Sequence, residues 1–254
     1  MTRYPSFVAV GDSFTEGLDD PRGDGTFAGW ADRVAERLAH LEPDFAYANL
    51  AVRGKLLGQI VEQQVPVAAA MRPALVSLAG GTNDMLRPGF DADALGAALR
   101  TGVATLRNSG AQVVLFTGGD PSGRLPWASR LLPKVVALND LVRAIAADLD
   151  TVLVDLWPTR VWDDVRLWSD DRLHLNTTGH ARVASAVLEA LGVPNDDDWR
   201  APLPPAPPRP WHATRADDLR WARTHLAPWV GRRLRGRSSG DAVEPKRPQL
   251  TPYR

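Results

Sequence analysis

Ser13 ends a short apolar run, Phe7-Val8-Ala9-Val10, at Gly11-Asp12-Ser13, a pattern in which a strand delivers a hydroxyl to a tight turn. A serine alcohol is a poor nucleophile on its own. It needs a base to take its proton, an acid to orient that base, and fixed N–H donors for the oxyanion that forms. Each part has a candidate elsewhere in the chain. Asp171 and His174 stand three apart in Ser169-Asp170-Asp171-Arg172-Leu173-His174-Leu175-Asn176. A turn at that spacing brings the carboxylate to the imidazole Nδ1–H, fixes the tautomer and leaves Nε2 for the serine. Gly54, closing Leu50-Ala51-Val52-Arg53-Gly54, lets backbone N–H groups approach a ligand closely. Asn83, in Gly80-Gly81-Thr82-Asn83-Asp84, offers an amide N–H that does not titrate. Taken singly, each is ordinary turn chemistry, which favours Ser, Gly, Asn and Asp for conformational reasons, and serine is also a common helix N-cap. What sets them apart is that they follow different strands in chain order.

The elements that must position these residues are short apolar runs alternating with segments of helical period. Strands are predicted at 6–10, 45–50, 74–79, 112–117 and 151–156, several almost continuously apolar, as strands buried on both faces are. Helices are predicted at 27–41, 56–70, 92–108, 131–149 and 177–191, the third stopping at Ser109-Gly110 and the last at Gly192 with Pro194 beyond. The repetition implies a doubly wound, three-layer α/β/α sandwich on a five-stranded parallel sheet. In such sheets ligands bind outside the carboxyl ends of the strands, where all the candidate residues fall.

Together these residues carry a family resemblance. Gly11-Asp12-Ser13-Phe14 resembles the Gly-Asp-Ser-Leu block of the SGNH (GDSL-type) hydrolases, with Phe14 in place of the usual leucine. Gly54 matches the second block of that family, Gly81-Thr82-Asn83-Asp84 the third (Gly-x-Asn-Asp) and Asp171-Arg172-Leu173-His174 the fifth (Asp-x-x-His); the block around Gly54 is the most loosely defined. The resemblance spans roughly residues 6–192. It implies a flavodoxin-like sheet and ester hydrolysis through an acyl-serine. Ser13 would be the nucleophile, His174 the base and Asp171 its orienter. The Ser13 N–H, the Gly54 N–H and the Asn83 amide would form the oxyanion hole. Acyl transfer to an alcohol would use the same residues, and a non-catalytic binding protein on the same fold is the reading from another class. The expected partner is a small-molecule, carbohydrate or lipid ester, without nucleic acid, cofactor or metal.

Secondary candidates have simpler readings. Asp12 holds the turn, Asp84 braces its loop, Asp120 forms a turn, and Asp170 is the alternative acid beside Asp171. His180 reads as a surface or packing residue of the last helix. Five scattered histidines, His40, His174, His180, His212 and His225, lack metal-ligand spacing. Trp127, Trp157, Trp162 and Trp168 flank the proposed site as pocket or packing residues, and 118–130 reads as a lid. Gly236-Arg237-Ser238-Ser239-Gly240 fits the Gly-x-Ser-x-Gly elbow pattern, but no strand precedes it.

The 254 residues include no cysteine, which excludes disulfides and thiolate chemistry. The formal charge is zero but uneven: residues 200–254 hold twelve basic and four acidic groups, net +8, and residues 1–199 hold 18 and 26, net −8. The hydrolase domain is expected over 1–198, followed by a proline-rich linker at 199–210, a basic helical extension at 211–235 and a disordered tail at 236–254. Leu219, Ala222, Leu226, Trp229, Val230 and Leu234 would share one face of that extension. The extension reads as an anionic-membrane contact, a partner-binding segment, or an element docked on the enzyme. With neither a leader peptide nor a membrane-length apolar run, a cytoplasmic location is expected.

Overall fold

Phe7, Val8, Ala9 and Val10 are all buried, and β1 (Ser6–Val10) is flanked on both sides by parallel neighbours. The computed structural model describes residues 4–124, 128–195, 197–206, 218–228, 231 and 238–253. In chain order the elements are β1, α1 (Ser13–Glu16), α2 (Gly29–Leu41), β2 (Ala46–Asn49), α3 (Leu57–Gln63), α4 (Val65–Ala70), β3 (Leu75–Leu78), α5 (Thr82–Met85), α6 (Ala92–Asn108), β4 (Gln112–Phe116), α7 (Leu132–Asp148), β5 (Val152–Val154), α8 (Thr177–Ala190) and β6 (Arg247–Pro252). The sheet runs β5-β4-β3-β1-β2-β6, with the first five strands parallel. Successive side chains of β1 enter opposite cores, as a period of two requires. Phe7 and Ala9 pack with Trp30 and Val34 of α2 and Val183 and Val187 of α8; Val8 and Val10 pack with Ile60 of α3, Leu99 and Val103 of α6 and Val142 of α7. The result is the three-layer α/β/α sandwich predicted from the sequence.

Three expectations need correction. The sheet has six strands, because β6 pairs antiparallel with β2 (Ala46↔Pro252, Tyr47↔Thr251, Asn49↔Arg247, with an irregularity between). This strand lies inside the tail expected to be disordered. Its two prolines hide it in the sequence, but proline is tolerated on an edge strand, where an N–H can be spared. The tail is held by packing: the Tyr253 ring lies 5.7 Å from that of Tyr47 and 6.4 Å from that of Phe45. Next, the helix predicted over 56–70 is two helices, broken at Gln64 with Pro66 in the first turn of α4, where its missing N–H costs nothing. Finally, the buried residue of the C-terminal helical segment is Trp221, packed with Ala128, Leu173, Ala222 and Leu226, whereas Leu219 is exposed. Trp229, Val230 and Leu234 of that face lie outside the described residues, as does Trp127. Among the described residues, no helix is long and apolar enough to cross a membrane.

Buried polar groups tie the layers together. Asp32 on α2 accepts from Tyr47 Oη at 2.8 Å and Arg22 Nη2 at 2.7 Å, and pairs with Lys246 Nζ at 2.9 Å. Lys246 also donates to the Phe27 and Ala28 carbonyls, so the start of β6 is pinned to the start of α2. Gly17 and Gly29, at φ +90° and +79°, let the end of α1 and the start of α2 touch; a Cβ on either would strike the other's backbone. His180 is fully buried, not superficial. Its Nδ1 accepts from Trp30 N–H at 3.3 Å and its Nε2–H donates to the Leu18 carbonyl at 3.2 Å, which fixes a neutral ring. Burial lowers its pKa to about 4 from 6.5. Because the unfolded chain binds this proton more readily, the contribution of His180 is complete above pH 6.5 and is lost as pH falls through 4. Wild type is therefore expected to exceed His180→Gln in thermal midpoint at pH 7, by a margin that narrows toward pH 4.5. A margin independent of pH would contradict this.

Candidate active site

The turn that ends β1 is gripped by a glutamine. Gly11 N–H donates to Gln64 Oε1 at 2.8 Å, and Gln64 Nε2–H donates back to the Gly11 carbonyl at 2.9 Å. The break between α3 and α4 is where this amide sits. A Cβ on Gly11 would run into Thr15 and the Ala79 carbonyl. Asp12 caps α1, its Oδ1 accepting from Phe14 N–H at 3.1 Å, and Ser13 follows as the first helical residue. Phe14 packs edge-on to Phe116 and against Trp30, so an aromatic ring serves at this position.

His174 arrives from the loop before α8. Its Nε2 lies 2.9 Å from Ser13 Oγ and its Nδ1 2.6 Å from Asp171 Oδ2. The other Asp171 oxygen accepts from Ser169 Oγ at 2.7 Å, Leu173 N–H at 2.8 Å and His174 N–H at 3.0 Å. Burial acts to raise the Asp171 pKa. The hydrogen bond and charge of His174 and the other donors outweigh it, and the carboxyl is held well below its usual range. An ionised Asp171 accepts a hydrogen bond from His174 Nδ1–H, which keeps the proton on Nδ1 and leaves Nε2 as an acceptor for the Ser13 hydroxyl. Burial depresses the His174 pKa, but the hydrogen bond to Asp171 and the charges of Asp171, Asp19 and Asp12 raise it above 6.5. Asp19, in a left-handed conformation at φ +68°, places Oδ2 3.8 Å from His174 Nδ1. Asp170 bonds neither histidine nor serine; it lines an open cavity of about 370 Å³ with Asp19, Pro21, Phe27, Ser169, Asp171 and His225.

Asn83 and Gly54 border the same turn. Both amide hydrogens of Asn83 are engaged, with Asp12 Oδ2 at 3.1 Å and the Lys55 carbonyl at 3.0 Å. Gly54 has φ +76°, a region favouring glycine. Its loop is held by Glu16, which accepts from Arg53 N–H at 2.8 Å and pairs with the Arg53 guanidinium. Asp84 accepts from Leu57 N–H at 3.0 Å, the brace expected of it. Asp12 is fully enclosed; burial raises its pKa to about 6, against the Phe14 N–H and the His174 charge.

Gln64, Glu16, Asp19 and Trp221 were not singled out by sequence reasoning. None of the four carries a local signal, since each meets a partner distant in the chain. Trp162 is buried and Trp168 lies beneath Arg124, 3.5 Å from ring centre to guanidinium carbon, so both are packing residues. Asp19, Asp171 and His174 are the single metal-capable cluster among the described residues, with ligand atoms within 4.8 Å of one another. Two of its members are already bonded to each other.

The doubly wound sheet carries a serine, a histidine and an aspartate in hydrogen-bonded series at its carboxyl edge, and membership of an acylhydrolase family makes the protein a carboxylic ester hydrolase. The chain belongs to the GDSL-like Lipase/Acylhydrolase family, whose model matches residues 9–182. Among solved structures, TesA is 25% identical with a TM-score of 0.59, the match covering 73% of this chain and 97% of TesA. Axe2, an acetylxylan esterase from Geobacillus stearothermophilus, is 19% identical with a TM-score of 0.61, covering 78% of this chain and 97% of Axe2. The psychrotrophic esterase EstA from Pseudoalteromonas sp., in a structure inhibited by monoethylphosphonate, is 17% identical with a TM-score of 0.58, covering 74% and 97%. No curated protein sequence matches the chain.

The His174 ring is expected to titrate above 6.5, and Asp171→Asn to bring it down. NMR of the ring carbons against pH measures both, and an Asp171→Asn ring that titrates where the wild type does would contradict the assignment of cause.

Proposed function

We propose that the enzyme hydrolyses carboxylic esters through an acyl-serine on Ser13, with His174 as base and acid and Asp171 as its orienter. The observation that carries this is the series of contacts from Ser13 Oγ through the His174 ring to Asp171. As Ser13 Oγ bonds to the ester carbonyl carbon, its proton passes to His174 Nε2. The imidazolium is balanced by Asp171 and returns the proton to the leaving alkoxide, releasing an alcohol. A water then gives its proton to the same nitrogen and attacks the acyl group, and the imidazolium returns that proton to Ser13 Oγ as the acid is released and the free serine is restored.

The N–H groups of Ser13 and Gly54 and the Asn83 amide are the proposed oxyanion donors. Since both Asn83 hydrogens are engaged in the free enzyme, the oxyanion would compete with Asp12 for one of them. That exchange matches the requirement that a donor serve the transition state better than the ground state. The likeness to acetyl xylan and psychrotrophic esterases makes short acyl esters the first substrates to try.

Ser13→Ala is expected to lower kcat on a p-nitrophenyl acetate-type ester by roughly 10⁴-fold or more and to abolish labelling by a fluorophosphonate probe. Activity within a few-fold of wild type would overturn the reading. Because the base must be neutral, kcat/KM should fall on the acid side with an apparent pKa above 6.5. A flat profile from pH 5 to 8 would exclude His174 as base.

A further inference from the structure

The family match ends at residue 182, yet the chain returns twice to the site after that point. At 218–226 it meets the loop that carries Asp171 and His174. The Trp221 indole N–H donates to the Asp171 carbonyl at 2.8 Å, and the Asp218 carboxylate pairs with Arg172 Nη1 at 2.7 Å. The Arg172 guanidinium also lies 5.1 Å from the Trp221 ring centre. Trp221 is buried against Leu173 and Ala128, and His225 from the same segment forms part of the cavity wall beside Asp19 and Asp171. At 238–240 the chain meets the other side. Ser238 Oγ lies 3.4 Å from the Gly54 carbonyl, and Gly240 sits so close to the Arg53 carbonyl that a Cβ there would collide with it. A Cβ on Gly54 would in turn collide with Ser238 Oγ.

We propose that the C-terminal extension is a two-point positioning clamp for the active site: Trp221 and Asp218 hold the Asp171–His174 turn, and Ser238–Gly240 hold the Gly54 loop. This rests on the roles assigned to Ser13, His174, Asp171 and Gly54 above. The physical need is visible in Arg172, which adopts φ +61° without being glycine. A non-glycine residue in that region is strained and persists only where its surroundings over-determine it. Here the turn is held from within by Ser169, whose carbonyl accepts from Arg172 N–H at 3.0 Å, and by Asp171, which accepts from the Leu173 and His174 amides, and from without by the two groups of the extension. Relaxation of that turn would swing His174, and a displacement near 1 Å costs about 100-fold in rate. On the Gly54 side the closeness of backbone to backbone leaves the loop one position. The anchor of the clamp is the Lys246–Asp32 pair followed by β6.

The test uses the full chain. Trp221→Phe keeps an aromatic ring, smaller than the indole, and removes the N–H; Gly240→Ala forces Ser238–Gly240 away from Arg53. Asp218→Asn weakens the ion pair to Arg172, and Leu219→Ser, on the exposed side of the same helix, is the control. Active sites are counted by the end-point of fluorophosphonate labelling, so that kcat refers to folded enzyme. Trp221→Phe and Gly240→Ala should each lower kcat roughly tenfold or more with KM within a few-fold, while Leu219→Ser leaves kcat unchanged. In Trp221→Phe the acid limb of kcat/KM should also move down, since a loosened Asp171 contact no longer raises the His174 pKa; in Gly240→Ala it should stay. A purely stabilising extension would alter the thermal midpoint and leave kcat and the limb alone, and that result in both variants overturns the proposal. Should Trp221→Phe not fold, Asp218→Asn carries the same readouts. Ser13→Ala separates the two readings. If it is inactive while the clamp variants behave as wild type, the clamp alone falls; if it is active, both fall.

Discussion

The Asp171 carboxylate accepts four hydrogen bonds, from Ser169 Oγ, the Leu173 and His174 amides, and His174 Nδ1. A largely buried carboxylate left unpaired would take up a proton rather than remain charged. With four donors it stays ionised, and its ionisation decides which nitrogen of His174 carries the proton. Two backbone donors of the set belong to the turn itself, so the group that orients the histidine also folds the loop that delivers it. The tautomer, and with it the contact to Ser13, follows from one satisfied charge, which also supplies two of the bonds that shape the loop.

The serine is positioned by a different device. β1 lies where the order of the parallel strands reverses direction, with β2 on one side and β3 on the other, and such reversals open a crevice at the carboxyl ends. Gln64 pairs with the Gly11 peptide as a neighbouring strand would, extending the hold on the backbone one residue past the end of the sheet. Ser13 is thus fixed through its main chain while its hydroxyl stays free to rotate toward His174. Neither arm depends on the other for its shape; they meet at 2.9 Å.

The parts legible in the sequence are those whose physics is local. Asp171 and His174 are three apart, Asp12 caps a helix two residues on, and the glycines mark turns; the strands show as apolar runs because both faces are covered. What could not be read depends on partners distant in sequence. Gln64 meets Gly11 across 53 residues and Trp221 meets Asp171 across 50. No pattern within either segment announces its partner. β6 failed for another reason. Its composition, Arg-Pro-Gln-Leu-Thr-Pro, opposes strand formation locally, and it is held by the open edge of β2 and by edge-on contacts of Tyr253 with Tyr47 and Phe45. Gly-Arg-Ser-Ser-Gly at 236–240 shows the converse: its serines matched a nucleophile pattern, and Ser238 proves to pack against Gly54.

Because β6 closes the sheet from the far end of the sequence, it is synthesised last of the six strands. The ribosome makes β2 about two hundred residues before its antiparallel neighbour, and β5 about ninety before it. At 5–20 residues per second, roughly 5–20 s pass between β5 and β6. Throughout that interval the nascent domain exposes the unpaired edge of β2, the kind of edge that recruits foreign strands. The shortness of β2, four residues, limits the hazard. For this enzyme the strand that covers the open edge of β2 is the last of the six to leave the ribosome.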